Sequence, residues 1–288
     1  YQMTSRLELE GRIAAGKLLV APGVYDALTA KLAEGAGFEA VYMTGYGTSA
    51  ARRGLPDIGL LTMTEMLDNL RAIADAVEIP VIADADTGYG NPVNVSRTVK
   101  EFERAGAAAI HIEDQVWPKR CGHMRGKQVI PKAEMAAKLR AAVDQRPRED
   151  FLIIARTDAL AVEGWDATLE RAEAYLAAGA DVLFVEALET VEQMERVPKL
   201  FDAPCLINMA PRTPDRPVAE LEQMGYAVAI YPGICLLATV SANLEALKEF
   251  KETGRGRDLG ELLPAFLEFN EFLGTSRYAE LEERYRID

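Results

Sequence analysis

Residues 101–113 read EFERAGAAAIHIE, and residues 173–186 read EAYLAAGADVLFVE. In each stretch an amphipathic helical pattern leads into Ala-Gly-Ala and then into an apolar run that ends in a carboxylate, Glu113 or Glu186. A helix-to-strand unit that repeats along one chain is typical of α/β proteins with a parallel sheet. The two stretches therefore predict that strands and helices alternate through the chain.

Short apolar runs that lead into helical patterns recur from end to end. They are apolar on both faces, as expected for strands between a filled barrel interior and a layer of helices. Helix starts are visible where Asn91 precedes Pro92 and where Asp166 precedes another helical pattern. The predicted strands are Leu18–Ala21, Ala40–Thr44, Val81–Ala85, Ala109–Glu113, Phe151–Ala155, Val182–Glu186, Cys205–Met209 and Val228–Tyr231. They predict a (β/α)8 TIM barrel, with a doubly wound open sheet as the alternative.

One domain is predicted over residues 1–288, since no low-complexity segment or linker divides the chain. The barrel pattern is complete near residue 250, and residues 255–288 are predicted to form a C-terminal helical extension. Apolar side chains repeat there at helical spacing, at Leu259, Leu262, Leu263, Phe266, Phe269 and Leu273. Such a stripe either packs on its own barrel or forms a contact between subunits.

The composition excludes several classes of protein. The net charge of −13 argues against nucleic acid or an anionic membrane as a partner, and no apolar run approaches the roughly 20 residues of a membrane helix. The first residues show no signal pattern, and the three cysteines lie far apart, without metal-binding spacing. We therefore expect a cytoplasmic protein, whose site must itself supply positive charge to an anionic substrate.

Carboxylates crowd the predicted strand ends, where a barrel of this type carries its active site. Asp84 and Asp86 lie two apart after the third strand, so they point the same way if both are in the strand, and Glu113 ends the fourth. Neighbouring ionised carboxylates repel one another unless a cation lies among them. Oxygen ligands without a histidine pair favour Mg2+ or Mn2+ over zinc. The alternative is that these side chains are solvated strand caps.

A second cluster, Lys119-Arg120-Cys121-Gly122-His123, follows the fourth strand. Its cationic residues should favour the thiolate of Cys121, which is a candidate acid/base or nucleophile, and would supply charge for an anionic substrate. Gly122 and Gly126 would let this loop move as a lid.

Two further residues lie on the inward face of the predicted strands. Arg156 could clamp a substrate carboxylate, or form a structural ion pair with Asp158 or Glu186. His111 shares a face with Glu113 and is interpreted as a core or supporting histidine.

Long motifs spread over nearly the whole chain form one pattern. In chain order they are Tyr42-Met43-Thr44-Gly45-Tyr46-Gly47, Gly54-Leu55-Pro56-Asp57, Asp84-Ala85-Asp86-Thr87-Gly88-Tyr89-Gly90, Glu113-Asp114-Gln115-Val116-Trp117-Pro118-Lys119-Arg120-Cys121-Gly122-His123 and Ala155-Arg156-Thr157-Asp158-Ala159. Together they resemble the isocitrate lyase / phosphoenolpyruvate mutase superfamily, and especially its 2-methylisocitrate lyase and 2,3-dimethylmalate lyase members.

The resemblance implies a barrel whose last helix is exchanged with a neighbouring subunit in a homotetramer. It implies Mg2+ held by Asp84, Asp86 and Glu113, largely through water. It also implies a substrate site built from backbone donors, charged side chains and a gating segment. The residues that we expect to bind the substrate are Thr44, Gly45, Tyr46, Asp57, Lys119, Gly122, Arg156, Glu186 and Asn208.

The cysteine of the second cluster narrows the reaction. In lyase branches the residue matching Cys121 acts as an acid/base on a mobile loop, whereas phosphonate-handling branches usually replace it. The carboxyphosphoenolpyruvate mutases, however, also carry a Lys-Arg-Cys-Gly-His run. The cysteine nevertheless favours a Mg2+-dependent (or Mn2+-dependent) lyase that cleaves a 2-hydroxy-dicarboxylate or tricarboxylate, of the 2-methylisocitrate or 2,3-dimethylmalate type, into pyruvate and a second carboxylate via an enolate. The predicted catalytic residues are Cys121, Tyr42, His123 and Arg156.

Several alternatives stay open. They are an oxaloacetate hydrolase or decarboxylase, a carboxyphosphoenolpyruvate or phosphonopyruvate mutase, and a barrel that has lost catalysis and serves as a binding protein. One departure leaves the substrate undecided, because relatives usually read Asn-Met-x-Glu-Gly-Gly-x-Thr-Pro after the seventh strand. Here residues 208–214 read NMAPRTP, and Gly233 stands where a bulkier residue is common.

Overall fold

The computed structural model describes residues 9–255 and 266–287. Its parallel strands close into a barrel in chain order, with β8 paired to β1. The predicted (β/α)8 barrel is therefore confirmed, and the open sheet is not. The strands are β1 Leu19–Val24, β2 Val41–Met43, β3 Val81–Asp84, β4 Ala109–Glu113, β5 Leu152–Thr157, β6 Val182–Val185, β7 Cys205–Asn208 and β8 Val228–Tyr231.

Helices follow the strands in alternation. They are α1 Ala27–Gly35, α2 Gly45–Arg53, α3 Met63–Ala76, α4 Pro92–Arg104, α5 Lys132–Gln145, α6 Leu160–Glu163, α7 Trp165–Ala177, α8 Val191–Leu200, α9 Val218–Met224, α10 Ile234–Thr253, α11 Phe266–Phe272 and α12 Thr275–Arg284. The predicted cap at Asn91 is confirmed, since its side chain accepts hydrogen bonds from the amides of Val93 and Asn94. The predicted cap at Asp166 is wrong. That helix begins at Trp165 after Gly164, whose φ of +86° turns the chain.

The first strand is longer than predicted, because it continues through Pro22 and Gly23. Pro22 pairs with Tyr231 of β8, and Gly23 pairs with Tyr42 of β2. A side chain at Gly23 would collide with the backbone of Pro232. Proline and glycine usually mark a strand end in sequence, whereas here glycine permits two barrel segments to approach closely.

Two apolar layers hold the barrel together. Inward-facing side chains such as Leu19, Ile82 and Phe184 fill its interior. A second apolar layer, which includes Ile110 and Phe102, packs between the strands and the helices. This packing positions the carboxyl ends of the strands, and therefore the groups that follow them.

The chain divides into two compact units, residues 1–237 and 238–288. Of the predicted C-terminal stripe, Leu259, Leu262 and Leu263 lie outside the described residues, while Phe266 and Leu273 are 79% and 42% exposed. Over residues 9–255 and 266–287, none of the helices has the length and hydropathy of a membrane-spanning segment. The cytoplasmic location stays a prediction.

Candidate active site

The predicted metal ligands lie at the carboxyl ends of β3 and β4, and all are buried. Asp84, Asp86 and Glu113 are 4%, 3% and 1% exposed. β3 ends at Asp84, so Asp86 lies beyond the strand and the strand alternation used to predict its direction does not apply. Instead the chain turns with a φ of +48° at Asp86, and the Asp86 amide donates to Asp84 Oδ1 at 2.9 Å. A left-handed turn therefore brings these two carboxylates into one site.

Cations approach the same carboxylates. Lys119 Nζ lies 2.8 Å from Asp86 Oδ1 and 2.5 Å from Asp57 Oδ1. Arg156 Nε lies 3.2 Å from Glu113 Oε2 and 2.9 Å from Asp158 Oδ2. Arg156 also reaches Glu186 Oε2 at 3.2 Å, so the predicted structural ion pairs form, and the same guanidinium lies among the predicted metal ligands.

The donor set fits a hard divalent cation held through water. Among the residues that the structure describes, no three carboxylate, imidazole or thiol groups form a ready-made ligand cage. Both carboxylate oxygens of Glu113 and Oδ1 of Asp86 are nevertheless buried without a well-aligned hydrogen bond. Burial raises the pKa of Asp86 to about 6 and that of Glu113 well above its usual range. A bound cation would favour the ionised forms and satisfy these oxygens.

Tyr42 and His111 form a buried pair beside Asp84. The Tyr42 hydroxyl lies 2.8 Å from His111 Nε2 and 3.5 Å from Asp84 Oδ2. Burial lowers the pKa of His111 to about 4, so the imidazole is neutral at neutral pH. Burial also raises the pKa of Tyr42 well above its usual value, so its hydroxyl stays protonated in the free protein.

Backbone groups after β2 complete this half of the site. Gly45 donates its amide to Asp84 Oδ2 at 3.2 Å, and a side chain at Gly45 would collide with that carboxylate. Thr44 caps α2 by accepting from the Gly47 amide, while Tyr46 is half-buried in the first turn. The predicted backbone donors therefore lie against the predicted metal ligands.

The predicted lid glycines, Gly122 and Gly126, lie in a loop of residues 116–128, which we call the cysteine loop. Its base is closed by the Val116 amide, which donates to the Gln128 carbonyl at 2.8 Å. The Cys121 amide donates to the Asp57 carbonyl at 3.0 Å. The resemblance places Asp57 on the gating segment, so this bond joins the loop to that segment. A side chain at Gly122 would lie 2.5 Å from Arg156 Nη2. The loop tip thus rests directly on the site.

The prediction that Cys121 is a thiolate is wrong. Burial raises the pKa of its thiol, and this effect outweighs the lowering of the pKa by the charges of Arg156 and Lys119. Lys119, which was expected to stabilise the thiolate, is instead paired with Asp57 and Asp86. Cys121 therefore carries a proton at neutral pH, as a general acid requires.

The other half of the site lies at the ends of β6 and β7. His123 Nε2 lies 3.1 Å from Glu186 Oε1, and Asn208 Nδ2 donates to both oxygens of Glu186 at 3.2 and 3.1 Å. Together with Arg156, these groups offer donors to a carboxylate. The structure thus gathers the predicted catalytic, substrate-binding and metal-binding residues at one end of the barrel.

Sequence reasoning missed a buried polar network behind this site. Asp114 accepts from Thr157 Oγ1 and the Asp158 amide, both at 2.8 Å, and from the Tyr175 hydroxyl at 2.7 Å. It also missed Lys127, which contacts Asp158. The one available signal was position, because Asp114 follows Glu113 and must face the opposite side of β4.

These features define a (β/α)8-barrel enzyme with two half-sites at the strand ends. The acidic half-site holds Asp84, Asp86 and Glu113, and the second holds Arg156, His123 and Asn208 around Glu186. The sequence model of the phosphoenolpyruvate phosphomutase family matches residues 11–251. The chain belongs to this family, and the predicted resemblance to the isocitrate lyase / phosphoenolpyruvate mutase superfamily is confirmed.

Curated relatives are similar over nearly their full length. The chain is 46% identical over 285 residues to 2,3-dimethylmalate lyase of Eubacterium barkeri, covering 98% of this chain and 99% of the relative. It is 43% identical over 274 residues to 2-methylisocitrate lyase of Aeropyrum pernix, covering 94% and 88%. These relatives are lyases of the superfamily.

Solved structures agree with the fold and extend the range of activities among relatives. An oxaloacetate acetylhydrolase in complex with 3,3-difluorooxalacetate superposes with a TM-score of 0.91 at 36% identity, covering 97% of this chain and 96% of that one. A phosphonopyruvate hydrolase in complex with oxalate and Mg2+ superposes with a TM-score of 0.89 at 32% identity, covering 98% and 99%.

Proposed function

We propose that this protein is a divalent-metal-dependent carbon–carbon lyase that splits a substituted malate into pyruvate and a second carboxylate. The observation that carries the proposal is the place of Cys121, a protonated thiol whose neighbour Gly122 packs against Arg156 and Glu186. The 46% identity to 2,3-dimethylmalate lyase supports the same class of reaction.

The two half-sites suit a substrate with two separated carboxylates. The pyruvate end would face the acidic half and the Gly45 amide. The second carboxylate would meet the donors of Arg156, His123 and Asn208. Substituted malates such as 2,3-dimethylmalate and 2-methylisocitrate carry carboxylates on both sides of the bond that breaks.

Cleavage begins when the substrate hydroxyl loses its proton. The oxygen electrons then form the keto group of pyruvate, while the carbon–carbon bonding pair moves onto the α-carbon of the departing carboxylate and creates its enolate form. Cys121 donates its proton to that carbon. Tyr42 is the candidate base of this chain. It would act as the phenolate, a form that the positive charges of Arg156 and Lys119 favour and that a bound cation would favour further.

Magnesium or manganese would be held by Asp84, Asp86 and Glu113, largely through water, and would supply positive charge where negative charge develops on the substrate oxygens. Arg156 contributes a second fixed positive charge, and burial of the whole cluster strengthens both effects by excluding water.

A substrate panel tests the reaction class. The purified protein is incubated with Mg2+ or Mn2+ and with 2-methylisocitrate, 2,3-dimethylmalate, oxaloacetate or phosphonopyruvate, and the products are identified by NMR. We expect pyruvate from a substituted malate. Turnover of oxaloacetate alone would assign a hydrolase or decarboxylase, and turnover of phosphonopyruvate alone would assign the phosphonate branch.

We also propose that the protein is a homo-oligomer, with the four subunits that the resemblance to the superfamily implies. An apolar stripe on α10 supports this, because Leu237, Val240, Leu244, Leu247 and Phe250 repeat at helical spacing and are 54%, 45%, 64%, 63% and 55% exposed. On α1 of the barrel, Leu28 and Leu32 are 39% and 50% exposed. Five large apolar side chains exposed along one helix mark an interaction surface.

Multi-angle light scattering is expected to give four chain masses for the wild type at micromolar concentration. The double variant Leu244→Asp/Leu247→Asp should lower the mass, because two charges would have to be buried in the contact. Ala242→Asp, exposed on the opposite face of α10, is the matched control and should keep the wild-type mass. A monomeric wild type would refute this proposal.

A further inference from the structure

Lys127 is a buried cation in an otherwise exposed part of the cysteine loop. Its side chain is 2% exposed, whereas Met124, Arg125 and Gly126 immediately before it are exposed. The Lys127 ammonium donates to the Gly122 carbonyl at 2.5 Å and to Asp158 Oδ1 at 2.7 Å. One side chain therefore links Gly122, in the loop, to Asp158, which directly follows β5.

Both partners of Lys127 lie next to groups with proposed roles. Gly122 separates Cys121 from His123. Asp158 follows β5 and accepts from Arg156 Nε at 2.9 Å, while its own amide is fixed by Asp114. The contact thus couples the position of the proposed acid to the strand that carries the guanidinium.

The part of the site beside Lys119 must open before a substrate can enter it. The cavity between Gly45, Asp57, Asp86 and Lys119 has a volume of only ≈ 10 Å³, which is room for about one water molecule. Lys119 and His123 of the loop contact the carboxylates of Asp57, Asp86 and Glu186. Gln115, just before the loop, exchanges two hydrogen bonds with the backbone of Arg120. Lys127 instead reaches Asp158, which is paired with Arg156.

We propose that Lys127 is a positioning residue that holds the cysteine loop closed and thereby places Cys121 for proton donation. Lys127 touches neither the proposed metal ligands nor the donors for the second carboxylate, so it can hold the loop whether or not substrate is bound. The catalytic part of this inference rests on the proposed lyase function, whereas the closure of the loop does not.

The test compares Lys127→Met, Lys127→Arg and the wild type, with Lys132→Met as matched control. Lys132 lies at the start of α5, where its side chain is 43% exposed and pairs with Glu170. Cleavage after Arg125 by an arginine-specific protease, followed by mass spectrometry, reports loop opening without any substrate. Lys127→Met should accelerate this cleavage by roughly 10- to 100-fold, the equilibrium factor of a lost charged hydrogen bond. Lys127→Arg should show a smaller increase, and the control none.

Steady-state kinetics on the best substrate completes the test. Lys127→Met should lower kcat by a similar factor, with a smaller change in KM. Cleavage spread over the barrel instead of confined to the loop, or a wild-type cleavage rate in Lys127→Met, would overturn the proposal, as would an unchanged kcat. If the wild type cleaves no substituted malate but Lys127→Met still opens the loop, the lyase function fails while the loop contact stands.

Discussion

Cys121→Ser is expected to lower kcat by roughly 10²–10⁴-fold, the usual contribution of a general acid. The enolate of the departing carboxylate needs a proton at carbon, and burial keeps the Cys121 thiol protonated for this purpose. A serine hydroxyl has nearly the same size but a far higher pKa, so it cannot release its proton at a useful rate. Affinity for oxalate, a probe of the pyruvate half, should change little, because the acidic half-site is untouched.

The pH profile separates this role from a structural one. In the wild type kcat should fall as pH rises through the raised pKa of the thiol, because the acid form is then lost. Cys121→Ser should lack this alkaline limb. Cys235→Ser, at a half-buried cysteine in α10, is the matched control and should keep both rate and profile. Near-wild-type kcat in Cys121→Ser would show that Cys121 is not the acid.

Removal of the divalent metal by a chelator is expected to abolish turnover, and Mg2+ or Mn2+ should restore it. Asp86→Asn should be as inactive as the chelated wild type, yet remain folded. The pKa of Asp86 in the folded protein is raised to about 6. Ionisation of Asp86 therefore weakens folding as the pH rises above the pKa of this carboxyl in the unfolded chain. Replacing it by a neutral amide should therefore leave the melting temperature unchanged or higher near neutral pH.

A thermal-shift titration with Mg2+ provides a readout that does not depend on activity. Wild-type protein should melt at higher temperature as Mg2+ is added, since a ligand that binds only the folded state stabilises it. Asp86→Asn should show no such increase, whereas Asp68→Asn, an exposed carboxylate on α3 outside the site, should behave like the wild type. Full activity in excess chelator would refute the metal assignment.

The barrel could be predicted from the sequence because its signals are local. The Ala-Gly-Ala units before β4 and β6 repeat visibly, and buried parallel strands are continuous apolar runs. Pro22 and Gly23 could not be placed, since their pairing partners lie far away along the chain. The apolar stripe of α10 was also overlooked, because periodicity alone does not show which helix face stays uncovered.

The site residues were predicted from their types and motifs, but their electrostatics were not. Whether Cys121 is a thiol or a thiolate depends on burial and on where the charge of Lys119 goes, and both are set by tertiary structure. The left-handed turn at Asp86 and the contact from Lys127 to Asp158 likewise join segments whose approach no local pattern encodes.

Proton NMR of the reaction in D2O with Mg2+ tests the central claim most directly. From 2,3-dimethylmalate we expect equal amounts of pyruvate and propionate, with one solvent deuteron on the propionate carbon that was bonded to the pyruvate unit. From 2-methylisocitrate we expect pyruvate and singly deuterated succinate. The account would be contradicted if no substituted malate gave pyruvate while oxaloacetate or phosphonopyruvate was turned over.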